Sequence, residues 1–501
     1  MRKVIEPQLQ LGEQAIESIQ LDPRSRDDIP QILLGLQTIY TTPSIRKAVF
    51  DILEEVLPER TEEDGTRTKA DRNCGRPGML QWQILVLGVL RLGLNADYDR
   101  IQELANQHST IRQMLGHSDW MDDKQYTLST LKNNLRLFTP EILDRINLEV
   151  VHMGQSLVKK SPDEGLSGRC DSFVVETHVH YPTDINLLHD AIRKVIGLSA
   201  ELATLHDLPG WRQQAFHQRK IKKIYRQAQR LKHSTSKDEE KKKAKQQEIK
   251  EAHQQLIEHA QHYLDRSELT QQQIEELTPS TADILNQINT FAQHAKRQID
   301  QIERRVLQDE NIPHKEKVFS LFQPHTEWIS KGKAGVPVEL GLRVCIMEDN
   351  HGFILHHQVM ESTTDDKVAV SMVTESQQRF PALRAASMDK GFHSQSNQKE
   401  LKEHLDCVVL PKKGRRSIAD QERESTEEFS RLRKQHSAVE SAINALEVHG
   451  LDKCLDHGIE GFKRYVAMAV VSRNIQRLGA IVRQQQQEKE NRKRGTYKKA
   501  A

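Results

Sequence analysis

The chain contains no apolar run near the ~20 residues that a membrane-spanning helix requires. Its longest, Ile84-Leu85-Val86-Leu87-Gly88-Val89-Leu90, is broken by Arg91. The start, Met1-Arg2-Lys3-Val4-Ile5-Glu6, lacks the apolar stretch of a signal peptide. Together these absences give the expectation of a cytoplasmic protein. Cysteine is scarce: Cys74, Cys170, Cys345, Cys407 and Cys454 form no CxxC pair. An odd, scattered set reads as reduced thiols and argues against a zinc knuckle. A dominant charge sign is missing too. Lys+Arg number 73 against 71 Asp+Glu, so the net charge of +2 does not by itself signal nucleic acid. Hydrophobic residues make up only 36% of the 501, which leaves much of the chain for exposed helix rather than core.

What is there is organised charge and alternating periodicity. Basic residues cluster at Lys412-Lys413-Gly414-Arg415-Arg416, at Arg431, Arg433 and Lys434, and near the end at Arg492-Lys493-Arg494 with Lys498-Lys499. Residues 1–160 read as helices, interrupted by a polar linker from Glu59 to Thr66 and a breaker at Gly75-Arg76-Pro77-Gly78. Two short segments around Asn106-Gln107-His108 have the form of a helix-turn-helix, with a plain helical bundle as the alternative. Residues 170–181 alternate and are rich in β-branched and aromatic types, which predicts a strand ended by Pro182. Residues 191–317 are rich in Gln, Lys and Glu, with Ile and Leu at helical spacing. They predict a stalk of two or more long antiparallel helices. A hairpin follows, its strands flanking Glu348-Asp349-Asn350-His351. Then come a helix around Val368–Phe380, a strand ending at Asp389, a strand at Leu405–Leu410 stopped by Pro411, and helix from Glu422 to about Gln487.

Three distant stretches each place an acid where metal-assisted phosphodiester chemistry needs one. They are Asp171 in Arg169-Cys170-Asp171-Ser172-Phe173, Asp389 in Ser387-Met388-Asp389-Lys390-Gly391-Phe392, and Glu440 in His436-Ser437-Ala438-Val439-Glu440. The first two sit on β-prone segments and the third on a helical one. Two aspartates and a glutamate that meet in space can hold two divalent cations, Mg²⁺ or Mn²⁺, on a phosphodiester. Asp171 opens its predicted strand and shares a face with Phe173, Val175 and Thr177, an apolar setting that is costly for an unpaired carboxylate. The bland alternatives are a strand-edge aspartate and an ordinary Asp-x-Gly turn. Glu176 and Asp184 are nearby rivals. His178 and His180 share a face but lack a third ligand, and His356-His357 carries no motif.

These motifs resemble those of DDE transposases of bacterial insertion sequences, nearest to the ISNCY group. The marks are Asp171-Ser172 leading to His180-Tyr181-Pro182-Thr183-Asp184, Asp389-Lys390-Gly391-Phe392, Val439-Glu440 followed by Gly450-Leu451, and Thr326-Glu327-Trp328-Ile329-Ser330-Lys331-Gly332-Lys333. The resemblance spans about residues 75–479. It implies an α/β fold with an RNase H-like mixed-sheet core, at 165–190 and 318–475, interrupted by the helical stalk and preceded by an all-α region that helps hold transposon ends. Residues 476–501 would be a basic, Gln-rich tail. It implies Asp171, Asp389 and Glu440 as catalytic metal ligands for two Mg²⁺ or Mn²⁺ ions. Water and then a freed 3′-hydroxyl would be the nucleophiles, with no covalent protein–DNA intermediate. The partners implied are double-stranded DNA, both terminal inverted repeats and target, and a homodimer or larger on that DNA, associated with the nucleoid. Lys390, Lys412, Lys413, Arg415, Arg416, Arg433 and Lys434 are the candidate DNA contacts. The sequence departs from the family around Glu440: His436 stands at the usual arginine position and Glu447 at the usual lysine position, with Arg433 and Lys434 as substitutes. The alternatives are a DNA or RNA nuclease on the same fold and a non-catalytic DNA-binding relative. A pure coiled-coil scaffold is opposed by the spaced β segments.

Overall fold

The computed structural model describes residues 2–500 except 7, 10, 62–65, 75, 119–122, 159–164 and 331–336; side chains at 60, 61, 67 and 493–500 are also outside the description. The middle of the Glu59–Thr66 linker, Gly75, Lys331-Gly332-Lys333, and the side chains of Lys493, Arg494, Lys498 and Lys499 therefore lie outside the described residues. The chain forms two compact units, Met1–His178 with Ile329–Ala501, and Val179–Trp328. Among the described residues no helix is long and apolar enough to cross a membrane.

In the first unit, N-caps set the helix starts. Asp27 accepts from Ile29 N and opens α1 (Asp28–Thr41), which α2 (Pro43–Leu53) follows. A short hairpin, β1 (Glu59–Thr61) with β2 (Arg67–Lys69), stands where the sequence suggested an unstructured linker. The apolar run becomes α3 (Gln81–Gly93), buried along its whole length. Then come α4 (Tyr98–Gln107), α5 (Ser109–Met114), α6 (Leu128–Leu135) and α7 (Pro140–Leu157). The pair α4 and α5 meets at His108, whose ring accepts from Ile111 N. Their buried residues belong to the same hydrophobic core as the sheet that follows, so residues 1–160 are not a separate body.

The sheet is built on β3 (Leu166–Thr177). The sequence predicted this strand to open at Asp171. It begins five residues earlier because pairing to the parallel neighbour starts at Leu166. Gly168 lies inside the strand, and a Cβ there would stand 2.5 Å from Met347 Sδ. The strand ends at Thr177, short of Pro182, where its partners run out. After the second unit and β4 (Glu327–Ser330) come β5 (Val338–Asp349) and β6 (Ile354–Met360), then α12 (Asp365–Arg379), β7 (Leu383–Met388), α13 (Gln395–His404) and β8 (Cys407–Val409). The central order is β6-β5-β3-β7-β8. β5 runs antiparallel to both β3 and β6, and β7 and β8 run parallel to β3. The fold is thus mixed α/β with a mixed sheet.

The helical run expected from Glu422 is broken into α14 (Ile418–Ser425), α15 (Glu427–His436) and α16 (Ala438–Leu446), and β9 (Lys453–Cys454) pairs with the end of β3. The expected tail at 476–501 is not separate. It continues α17 (Ile459–Ala500), with Leu478 and Ile481 buried in the core.

The second unit is four helices: α8 (Asp184–Leu205), α9 (Gln214–Arg230), α10 (Glu239–Gln272) and α11 (Pro279–Ile302). The residues that made it look like a stalk form its own core. Leu198, Leu202, Ile284 and Ile288 pack together, and Ile192, Val195, Leu256, Ala295 and Ile299 form a second cluster. The charged stretch 237–250 begins α10 at the end where the chain enters and leaves the unit, since Lys250 Nζ donates to Leu307 O and Asp309 Oδ2.

Candidate active site

Parallel pairing brings the first two acids together. Cys170 is the register partner of Met388, so Asp171 and Asp389 are the next residues along two adjacent strands. Asp389 directly follows the last residue of β7, where the sequence placed the strand's end, and precedes a tight turn, Lys390–Phe392, anchored by buried Phe392. Glu440 is the third residue of α16, which packs against β3. Val439, Ala442 and Leu446 bury the other side of that helix and leave Glu440 exposed. Ser437 separates α15 from α16, so His436 and Glu440 do not share one continuous helix as the sequence suggested.

A fourth acid was not anticipated. Asp365, the first residue of α12, accepts a hydrogen bond from Ser172 Oγ at 2.7 Å. Its Oδ2 also lies over Gly391, where a Cβ would come within 3.0 Å of it. Gly391 therefore permits the turn after Asp389 to pass close to Asp365. The only sequence signal was an acidic pair, Asp365-Asp366, in a first helical turn, which reads as dipole complementation rather than a site.

Electrostatics join the four. Burial pushes the Asp171 carboxyl up to about 6; the Ser172 N–H it accepts from opposes this, while the charges of Asp389, Asp365 and Glu440 add to it. The three side-chain charges that act most on Asp171 are thus all carboxylates. His436 is pushed down by burial, while Asp389 and Glu440 pull the other way. Its Nδ1 lies 3.0 Å from Ser387 Oγ.

The rival acids are placed elsewhere. Glu176 alternates to the other face of β3 from Asp171. Asp184 starts α8 and pairs with Arg305 at 2.8 Å. His180 is engaged by Asp190 at 2.7 Å, and His356 by Glu375 at 3.1 Å.

Among the basic candidates the structure makes a division. Lys412 pairs with Asp420 at 3.6 Å, and Arg416 with the buried Glu424 at 3.1 Å. Lys413 and Arg415 are exposed between them, as are Lys390, Arg433 and Lys434.

The donor set fits a hard divalent cation, because it is four carboxylates whose mutual repulsion a cation would offset. Among the described residues, however, no three His, Cys, Asp or Glu side chains come together so that they could hold a metal ion by themselves. Mg²⁺ needs no such group of three, since it is held through one or two carboxylates plus water and substrate phosphates. The chain matches no family model, no curated protein and no solved structure.

Proposed function

We propose that the protein is a metal-dependent phosphodiester-cleaving and strand-joining enzyme acting on DNA, a transposase of the DDE type on an RNase H-like core. The observation that carries this reading is the parallel register setting Asp171 beside Asp389, with Glu440 and Asp365 in the same field. The strand order β6-β5-β3-β7-β8, with β5 alone reversed, supports the RNase H-like assignment.

Asp171, Asp389 and Glu440 would hold Mg²⁺ or Mn²⁺. When bound, such ions stabilise the attacking and leaving oxygens of an in-line displacement. Asp365 buttresses the Asp171 strand through Ser172 and adds negative charge that favours cation binding. Exposed Lys390, Lys413, Arg415, Arg433 and Lys434 would hold phosphates, giving salt-dependent affinity. Two transposon ends processed together call for at least two protomers on the DNA, in the cytoplasm at the nucleoid.

The test is an assay with labelled duplexes carrying the inverted repeats that should flank the gene. Cleavage at the repeat ends and joining of the freed 3′-hydroxyl to a second duplex are the expected products, both abolished in Asp389→Asn. Cleavage without joining would instead favour a nuclease, and no cleavage by wild-type protein with Mg²⁺ or Mn²⁺ removes both enzyme readings.

A further inference from the structure

Beside the carboxylates, on the same face of the sheet, lies a cleft of about 1000 Å³. It opens between the starts of β3 and β7, the turn after β5, and α15. Ser167 and Arg169 of β3 line its floor with Ser387 of β7, and Arg384, Arg431 and Gln435 line its sides. Arg169 and Ser387 are register partners, and the next pair on that face is Asp171 with Asp389. One strand repeat of two residues, about 7 Å, therefore separates the cleft floor from the acids.

The lining chemistry is that of a backbone-binding channel. Arg169 is fixed in place by an ion pair with Glu348 at 2.9 Å and by donation to Asp349 O at 2.6 Å. Its Nε is buried and has no hydrogen-bond partner among the described residues. Arg384 and Arg431 enter from two different elements, β7 and α15, and both are exposed. Guanidinium groups suit phosphates because they present forked, permanently charged donors. Glu428 and Asp406 also border the cleft, so a polyanion is confined to the arginine-lined path rather than attracted to the whole surface. Among the described residues no Phe, Tyr or Trp lines it, and these offer no platform for stacking bases.

We propose that this cleft binds a single DNA strand through its phosphates, guiding the strand that leads to the carboxylate cluster, with Arg384 and Arg431 as the contacts and Arg169 as a fixed positive charge in the floor. The assignment rests on that cluster being where a phosphodiester is processed. A cleft of this volume, walled by the sheet and α15, suits one strand rather than a duplex, and contact through phosphates makes binding indifferent to base sequence.

The experiment is fluorescence anisotropy of the full chain with a labelled single-stranded oligodeoxynucleotide and with its duplex, in EDTA so that no cleavage occurs. Both arginines are exposed, and Arg384→Gln/Arg431→Gln is checked for a wild-type melting curve. The double variant should lose at least about tenfold in single-strand affinity, as expected for two charged contacts. The slope of log affinity against log salt should flatten by about 1.4, at about 0.7 per phosphate contact on a single strand. Unchanged single-strand affinity, or an equal loss on the duplex, overturns the proposal. Binding in EDTA is scored apart from cleavage, so wild-type protein that binds here but cuts nothing with Mg²⁺ or Mn²⁺ sinks the enzymatic reading alone.

Discussion

Asp171 and Asp389 stand side by side because Cys170 and Met388 are register partners across β3 and β7. A parallel pair so arranged delivers two carboxylates to one place from residues more than two hundred apart in sequence. The repulsion this creates is sustained by burial of the strands beneath, where Cys170, Phe173 and Met388 belong to the main core.

Neutralising Asp389 tests the chemistry without disturbing the fold. Asp389 is exposed at a strand end, so Asp389→Asn should fold normally. DNA affinity should be retained, since it rests on basic side chains. Cleavage should fall by roughly 10²–10³-fold, the scale of losing electrostatic stabilisation of the transition state. Gel assays with Mg²⁺, Mn²⁺ and Ca²⁺ check this: activity in the first two and none in Ca²⁺ or chelator is expected. Wild-type cutting by the variant would remove Asp389 from the site.

Asp171 predicts an inverse relation between stability and activity. Its carboxyl is raised to about 6, first by burial and then by Asp389 from the end of β7, Asp365 from α12 and Glu440 from α16. Because the folded value lies above the unfolded one, the folded protein binds more protons between about pH 4 and 6. Stability contributed by this group is therefore present below that window and lost as pH rises through it. Asp171→Asn should raise the melting temperature at pH 7 slightly, by less than the about 2–4 °C per kcal/mol of a 150–250-residue domain because this unit is larger. The gain should vanish near pH 4, and activity should be abolished. Differential scanning calorimetry at the two pH values decides it, and an equal shift at both would refute the linkage.

The acids Asp171, Asp389 and Glu440 were legible in the sequence because each sits in a short segment of clear periodicity. The succession of strand, helical insert, hairpin, helix, strand, strand and helix was legible from periodicity, but the order of strands in the sheet was not: it is set by pairings between distant segments. Asp365 was not, because nothing in Thr364-Asp365-Asp366 indicates that Ser172, 193 residues earlier, will meet it. The start of β3 at Leu166 was not legible, because it is set by pairing with β7 and by Met347 filling the space left open at Gly168, neither of which local periodicity reveals. The tail was misjudged because its Gln and Lys content looks solvated, while Leu478 and Ile481 seat the first part of that stretch in the core. The apolar stripes of residues 191–317 had two solutions, self-packing or dimerisation. The four-helix unit buries Ile284 and Ile288 against Leu198 and Leu202 and so supplies the first.

That self-packing gives a prediction opposed to an interface role. Ile288 is wholly buried, so Ile288→Ala should destabilise the helical unit by about 2–5 kcal/mol through lost contacts and a residual cavity. Limited proteolysis should show faster cutting within 179–328, while sedimentation of the protein on DNA should be unchanged in stoichiometry. A loss of oligomeric state with normal protease resistance would place Ile288 at a protomer contact instead.

The loop after β8 separates charge that binds from charge that stabilises. Glu424 is almost fully buried and is approached by Arg416 at 3.1 Å and Arg423 at 3.4 Å, while its Oε1 accepts from Lys412 N at 2.7 Å. Removing one cation leaves a buried carboxylate with less compensation, so Arg416→Ala should lower stability. Lys413 and Arg415 are exposed beside Gly414, whose φ of +86° turns the loop outward. Lys413→Gln/Arg415→Gln should leave the melting curve unchanged, weaken DNA binding for every sequence tested, and reduce the salt slope on duplex DNA by about 1.8, at about 0.9 per phosphate contact. Paired melting and salt-titration experiments on the two variants check the division. If Lys413→Gln/Arg415→Gln leaves the salt slope untouched, the loop is simply solvated and the DNA must be held by Lys390, Arg433 and Lys434 instead.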